Sequence, residues 1–342
     1  MSSLRDRLKR IKETKGEDSA EKNKKEIDIF ELKKKGWEEC GFMVLKREIN
    51  VKSPFKLKKN LSQNLQIIIP DLANRNMPFK ESFLFFDLET TGLSGGAGTV
   101  AFLAAFGRVV SGKLIITQYL LLDYPGENDF LDKVIKELKT ENSVIVTYNG
   151  KCFDSQIIKT RCLMNRIKPP LYLHADLLHP ARRLWKSIIH DCSQSSVEKN
   201  ILGIDRIGDI SGSLAPEIWF EFLKTGAAER LIGICDHNIS DISGLAGILS
   251  AMIIISEDLF NIEKYQYDQE RLARSIYAYA YRQMLICNYK EPLKLINKAL
   301  EVLEPDTLWF NKLNRRKIRI EKFTTNQYLE KRISHRGTEA QS

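Results

Sequence analysis

The sequence predicts an α/β protein whose mixed sheet is covered by helices, and three observations point to this. Residues 83–86 (FLFF) run unbroken into Asp87-Leu88-Glu89, which suits a strand buried on both faces. Two further apolar runs, residues 99–110 and 114–122, are joined by Ser111-Gly112-Lys113 and read as a hairpin pairing with that strand. Beyond them, helical stripes alternate with a short apolar strand at residues 143–148, the order expected when helices pack over a sheet.

Composition sets bounds on this reading. The chain has 342 residues, 43% hydrophobic and 28% charged, which fits a soluble globular protein of two or three units. Six cysteines are scattered with no C-x-x-C, so they read as reduced thiols rather than a disulfide frame or zinc site. The first 25 residues contain no apolar core, so no secretory signal is expected. The longest apolar patch, near residues 251–255, is too short to cross a bilayer. The expectation is a cytoplasmic protein without a membrane partner. The net charge of +9 is unevenly spread. Residues 1–80 hold 20 Lys and Arg against 12 Asp and Glu, residues 81–255 hold 17 against 20, and residues 256–342 hold 16 against 12. An acidic middle between basic flanks suits contact with a phosphate backbone, although basic tails also serve as plain solubilising segments.

In chain order, residues 1–35 form a lysine-rich arm with little to bury. Residues 36–80 are a small lead-in in which GFMVLKREI alternates like a strand and LQIII, near Ile67, reads as another before Pro70. Residues 81–255 are the main domain. Its glycine-rich turn at 92–98 lacks the G-K-[ST] ending of a phosphate-cradling loop, which argues against a nucleoside triphosphatase. A helical stripe follows at residues 127–139 (Phe130, Leu131, Val134, Ile135, Leu138), and a second helix starts after Asp154. Residues 231–255 read as a long helix. Residues 256–342 are helical and basic, with two amphipathic helices meeting near 288–291 and a basic run at 314–319. One such helical pair resembles a tetratricopeptide-like unit and cannot bury its apolar face unaided, so it is expected to pack on the main domain or on a protein partner. The last dozen residues are expected to be disordered.

The candidate chemistry gathers around the central strand. Asp87 and Glu89 are two apart and so share one face of it, where their repulsion and lost hydration call for a cation between them. Hard ions such as Mg²⁺ or Mn²⁺ take oxygen ligands of this kind. Read in isolation, such a D-x-E is a strand entering a polar turn. Thr90 and its small neighbours end the strand and leave room for substrate. Asp154 sits where a helix begins, a place that also favours a plain capping carboxylate, and Asn149 before it could equally be a turn residue. On the long helix His237 and Asp241 are four apart and share a face, whereas Asp236 points about 100° away. A neutral His237 beside a carboxylate could take a proton from water. Arg182, Arg183 and Lys186 offer phosphate contacts or form a solvated helix face. Glu198 and Arg206 suggest an ion pair.

The motifs D-L-E-T-T-G, N-G-K-C-F-D and H-N-I-S-D resemble those of the DEDD 3′→5′ exonuclease superfamily. More closely, the chain resembles the YprB-like branch of ribonuclease-H-like domains over residues 81–255. His174-Ala175-Asp176, Ala181-Arg182-Arg183-Leu184-Trp185-Lys186, Ser196-Val197-Glu198-Lys199 and Asp209-Ile210-Ser211-Gly212 add to the likeness. The resemblance implies a ribonuclease-H-like sheet, two metal ions held by Asp87, Glu89, Asp154 and Asp241, and His237 as general base. Histidine-type members usually place four residues between that His and Asp, and here there are three. The function it implies is a metal-dependent 3′→5′ exonuclease of DNA or RNA. The rival is an idle nucleic-acid-binding or scaffold protein on the same fold, and an endonuclease is a lesser alternative.

Overall fold

The computed structural model describes residues 29–53, 61–73, 82–92, 96–206 and 208–339. The basic arm over residues 1–28 and part of the glycine-rich turn, 93–95, lie outside the described residues. The elements are α1 (Phe30–Lys34), β1 (Glu38–Gly41), β2 (Val44–Lys52), α2 (Leu65–Ile68), β3 (Ser82–Thr90), β4 (Ala101–Val110), β5 (Lys113–Leu121), α3 (Glu127–Leu138), β6 (Ser143–Thr147), α4 (Asp154–Met164) and β7 (Leu173–Asp176). There follow α5 (Leu178–Trp185), α6 (Gln194–Val197), α7 (Ala215–Thr225), α8 (Glu229–Glu257), α9 (Gln269–Leu285), α10 (Lys290–Val302) and α11 (Leu308–Glu339).

The seven strands make one mixed sheet in the order β1-β2-β5-β4-β3-β6-β7. Strands β3, β6 and β7 are parallel, as their helical crossovers require, and the other neighbours are antiparallel. The lead-in enters this sheet, with β2 paired to β5 from Val44 opposite Leu121 to Lys52 opposite Lys113. Pairing between β3 and β6 ends at Phe85 opposite Val146, so Asp87 and Glu89 lie past that ladder and remain paired only to β4.

The pleat of β3 explains its apolar sequence. Leu84, Phe86 and Leu88 join a core with α3, α4 and α7, while Phe83 and Phe85 join a second core with α8. Asp87 and Glu89 continue the row of Phe83 and Phe85 and therefore face α8. That helix crosses close to the sheet: a Cβ at Gly107 of β4 would meet Ile242 Cγ2 at 2.5 Å. Helix α8 is long and apolar enough to span a membrane, a property missed when only its unbroken apolar run was considered. Here 72% of its most apolar window is buried inside the fold.

Two expectations need correction. The LQIII segment forms the short helix α2 rather than a strand. A brief apolar run is compatible with either state, and here Leu65, Ile67 and Ile68 all bury in the core shared with α8 and α9 while Pro70 ends the turn. The last dozen residues are helical as far as Glu339, as the continuation of α11. That helix is tied to α9 by Arg316, whose guanidinium lies 4.2 Å from the Tyr277 ring centre and 5.2 Å from that of Tyr281. The carboxy-terminal helices share one core with the main domain, through Leu272, Ile276 and Ala280 on one side and Leu65, Ile67 and Trp185 on the other. Trp185 Nε1 donates to Gln266 O at 3.1 Å, and Asp268 N donates to Leu184 O at 2.8 Å.

Because the close approach of α8 depends on Gly107, Gly107→Ala is expected to destabilise the protein by about 1–3 kcal/mol through overpacking. Urea unfolding followed by circular dichroism measures this, and wild-type stability in the variant contradicts the packing described.

Candidate metal centre

At the open end of β3, Asp87 Oδ2 accepts a hydrogen bond from Asn238 Nδ2 at 2.7 Å. Asn238 is wholly buried on α8, and its Oδ1 accepts from Gln118 Nε2 at 2.8 Å. Gln118 also donates to Cys235 O at 2.9 Å and accepts from Arg47 Nε at 2.6 Å. Arg47 lies over the buried Trp37 ring and binds Asp236, which confirms that Asp236 faces away from the carboxylates. This polar chain leads from the lead-in strand to Asp87 and sets its rotamer. Sequence reasoning missed Asn238, although it stands inside H-N-I-S-D next to the histidine.

One helical turn of α8 aligns the other side of the site. His237 Nε2 is 3.2 Å from Asp241 Oδ2, and His237 Nδ1 is 2.8 Å from Asp209 Oδ2. With Nδ1 donating to Asp209, Nε2 is the nitrogen turned toward the site, an assignment that follows from hydrogen-bond geometry. Asp241 Oδ1 accepts from Arg206 Nη2 at 2.8 Å. The same guanidinium grips Glu198 through Nε at 2.6 Å and Nη2 at 2.7 Å. Glu198 is 1% exposed and packs against Gly244 so closely that a Cβ there would come within 1.7 Å of its carboxylate. The suspected Glu198–Arg206 pair therefore exists, and it reaches the site through Asp241. The roles of Arg206 and Asp209 were not legible because both lie in a loop with no periodicity to place them.

The third side follows β6. Asp154 is the first residue of α4, where the exposed amides favour a carboxylate. The preceding turn puts Asn149 in the left-handed region at φ 67°. Asp176, at the end of β7, holds this turn by accepting from Asn149 N at 2.8 Å and Lys151 N at 3.0 Å. Thr90 donates its hydroxyl to Gly92 O at 2.9 Å and is buried. Arg182 and Arg183 stand on α5 and line a different depression.

These carboxylates repel one another. Burial first, then the charges of Asp241, Asp154 and Glu89, hold Asp87 well above the usual carboxylate range. Burial followed by Asp241, Asp154 and Asp209 does the same for Glu89. Asp154 is pushed up to about 8 by burial, Asp176 and Asp241. Acids that resist ionising in this way suit a hard divalent cation, which would remove the repulsion. Glu89, His237 and Asp241 offer ligand atoms within 4.8 Å of one another and form a site able to hold a metal ion. Asp87 and Asp154 lie outside that trio, within electrostatic reach of it. A cleft of about 410 Å³ beside the trio is lined by Gln194, Asp209, Gly212, His237 and Asp241.

The family model RNase_H_2, described as RNase H superfamily, matches residues 84–253. The chain carries an RNase H superfamily domain. The matched span opens within β3 and closes within α8, so it contains every carboxylate of the site and His237. The uncharacterized protein YprB of Bacillus subtilis (strain 168) is 40% identical over 172 residues, 49% of this chain and 41% of that protein. The chain thus covers less than half of that relative's length. Among solved structures, the family B DNA polymerase from Pyrobaculum calidifontis aligns over 70% of this chain and 46% of its own, with 10% identity and a TM-score of 0.42. E. coli exonuclease I in complex with a dT13 oligonucleotide aligns over 51% and 41%, with 16% identity and a TM-score of 0.34.

Two measurements check this geometry. In EDTA the raised carboxyls bind protons more tightly in the folded chain than in the unfolded one. Their contribution to stability is therefore greatest at low pH and is lost as pH rises toward about 8, where Asp154 ionises. The melting temperature in EDTA should fall between pH 5.5 and 8, less steeply in Asp154→Asn, and Mn²⁺ should restore it at pH 8. Separately, Arg206→Ala leaves Glu198 buried without its partner and should cost about 3–5 kcal/mol in urea unfolding. A loss below 1 kcal/mol would show that Arg206 does not hold the site together.

Proposed function

We propose that this protein is a metal-dependent 3′→5′ exonuclease that hydrolyses phosphodiester bonds of DNA or RNA. The observation that carries the reading is the convergence of Asp87, Glu89, Asp154 and Asp241, on three elements, into mutual repulsion beside His237. Membership in the RNase H superfamily supports the same chemistry, and the direction of attack follows the motif resemblance. Mg²⁺ or Mn²⁺, held by these carboxylates, would neutralise them and supply Lewis acidity to the phosphodiester.

The chain's own residues do the rest. Asn238 fixes Asp87, and Arg206 fixes Asp241, so two ligands are held in place before substrate arrives. Asp209 orients the imidazole, leaving Nε2 of His237 to accept the proton of the attacking water. The three-residue gap between His237 and Asp241 amounts to one helical turn, which keeps both groups on the cleft side of α8.

A time course on end-labelled single- and double-stranded DNA and RNA with Mg²⁺ or Mn²⁺ tests the reading. The expected product is a descending ladder with release of nucleoside monophosphates. Cleavage of a strand blocked at its 3′ end indicates an endonuclease, and binding without cleavage indicates the idle scaffold. Asp87→Ala or Asp154→Ala should abolish hydrolysis while the fold persists. His237→Ala should lower turnover by about 10²–10⁴-fold, with metal affinity nearly intact and the ascending limb of the pH–rate profile lost. Loss of metal binding in His237→Ala would instead make the imidazole a ligand.

A further inference from the structure

The site described above does not account for a strongly basic depression between α5 and α9. It encloses about 390 Å³ and is lined by His179, Arg182, Arg183, Arg271 and Arg274. The basic residues follow helical spacing: 179, 182 and 183 on α5, and 271, 274 and 282 on α9, so each helix turns one cationic face toward the other. Among the described residues Arg182, Arg183 and Arg274 make no ion pair, and only Arg271 is paired, its Nε 3.0 Å from Asp268 Oδ2. Arg282 Nη2 is buried with no hydrogen-bond partner, which is costly for a guanidinium. Burial lowers the pKa of Arg183, Asp71 opposes the fall, and Arg274 and Arg282 add to it. Asp71 is itself committed to Lys151, 2.5 Å away, and accepts from Asp176 N at 3.1 Å.

We infer that this depression is a track for the phosphodiester backbone of a single nucleic-acid strand whose end lies at the carboxylates. Like charges on facing helices repel, and a bound anion converts that repulsion into charge-assisted hydrogen bonds with the arginine forks. The anion is a polymer rather than a lone phosphate, because the α9 side of the depression runs from Arg271 to Ala278, about 10 Å at 1.5 Å per residue, longer than one phosphate group. The track also adjoins the site. Asp176 closes β7 immediately before α5 and is among the charges that press on Asp154. A solvated helix face, the simpler reading of Arg182 and Arg183, would not leave Arg183 half-buried with arginines of a second helix lining the same depression. The carboxy-terminal helices thereby become part of the substrate-binding surface. The identity of the strand rests on the nuclease reading above, whereas the anion site rests on its own residues.

The test measures binding in EDTA, where hydrolysis is off, by fluorescence anisotropy of labelled dT4, dT12 and rU12 across a salt series. Wild type should bind the 12-mers more tightly than dT4. Arg182→Gln/Arg274→Gln should bind the preferred 12-mer about tenfold more weakly at low salt, and its salt slope should fall by roughly 1.4 for two lost phosphate contacts to a single strand. Arg182→Lys/Arg274→Lys should keep the slope, since it keeps the charge. Thermal melting confirms that each variant is folded. A Gln variant with wild-type slope and affinity overturns the track, and so does wild-type protein that binds none of the three oligonucleotides. Hydrolysis of the same probes by wild type with Mn²⁺ is scored separately. Cleavage together with an unchanged Gln-variant slope removes the track and leaves the nuclease reading. Track-dependent binding without cleavage of any DNA or RNA does the reverse.

Discussion

Everything at the site depends on how closely α8 lies against the sheet. Gly107 on β4 leaves a gap that Ile242 fills, and this contact sets the height at which His237 and Asp241 stand over Asp87 and Glu89. The same helix is pressed from its other side by Glu198, which occupies the space a side chain at Gly244 would take. Two glycines on different elements thus let one helix sit between the sheet and the π-helical turn Glu198–Leu202, whose Glu198 holds Arg206. The remaining core, with Leu245, Ile248 and Leu249 buried against Phe85 and Val146, holds that arrangement through apolar contact rather than through the polar site.

The carboxylates oppose this packing. Gathering Asp87, Glu89, Asp154 and Asp241 raises the energy of their charged forms, and the fold counters it with donors placed one by one. Asn238 serves Asp87 and Arg206 serves Asp241, while Asp176 braces the turn before Asp154. Each donor is held in turn by a residue from another element: Gln118 on β5 for Asn238, and Glu198 for Arg206. Such mutual bracing fixes side-chain geometry more firmly than any single contact could. It also explains why a strand of the lead-in, through Arg47, bears on a residue far along the chain.

The carboxy-terminal helices show the same economy of position. They are not a separate bundle, since their apolar residues join the core beneath α2 and α5, and Arg316 from the basic run lies over tyrosines of α9 instead of reaching into solvent. Basic residues of α5 and α9 meet at a shared depression whose α5 side follows directly on the end of β7.

The sequence by itself determined the elements and most of the chemistry. The run before Asp87 had to be a doubly buried strand, the two-residue spacing had to put Asp87 and Glu89 on one face, and the four-residue spacing had to align His237 with Asp241, because these periods are properties of the backbone. Local periodicity says nothing of what lies opposite. Only the tertiary structure decided that β2 joins the sheet, that LQIII coils into a helix burying Leu65, Ile67 and Ile68, and that Asn238, Asp209 and Arg206 are the groups steadying the carboxylates. Arg206 and Asp209 come from a loop and Asn238 from α8 itself, far in sequence from Asp87, and contacts of that kind exist only once α8 has been laid across β3 and β4.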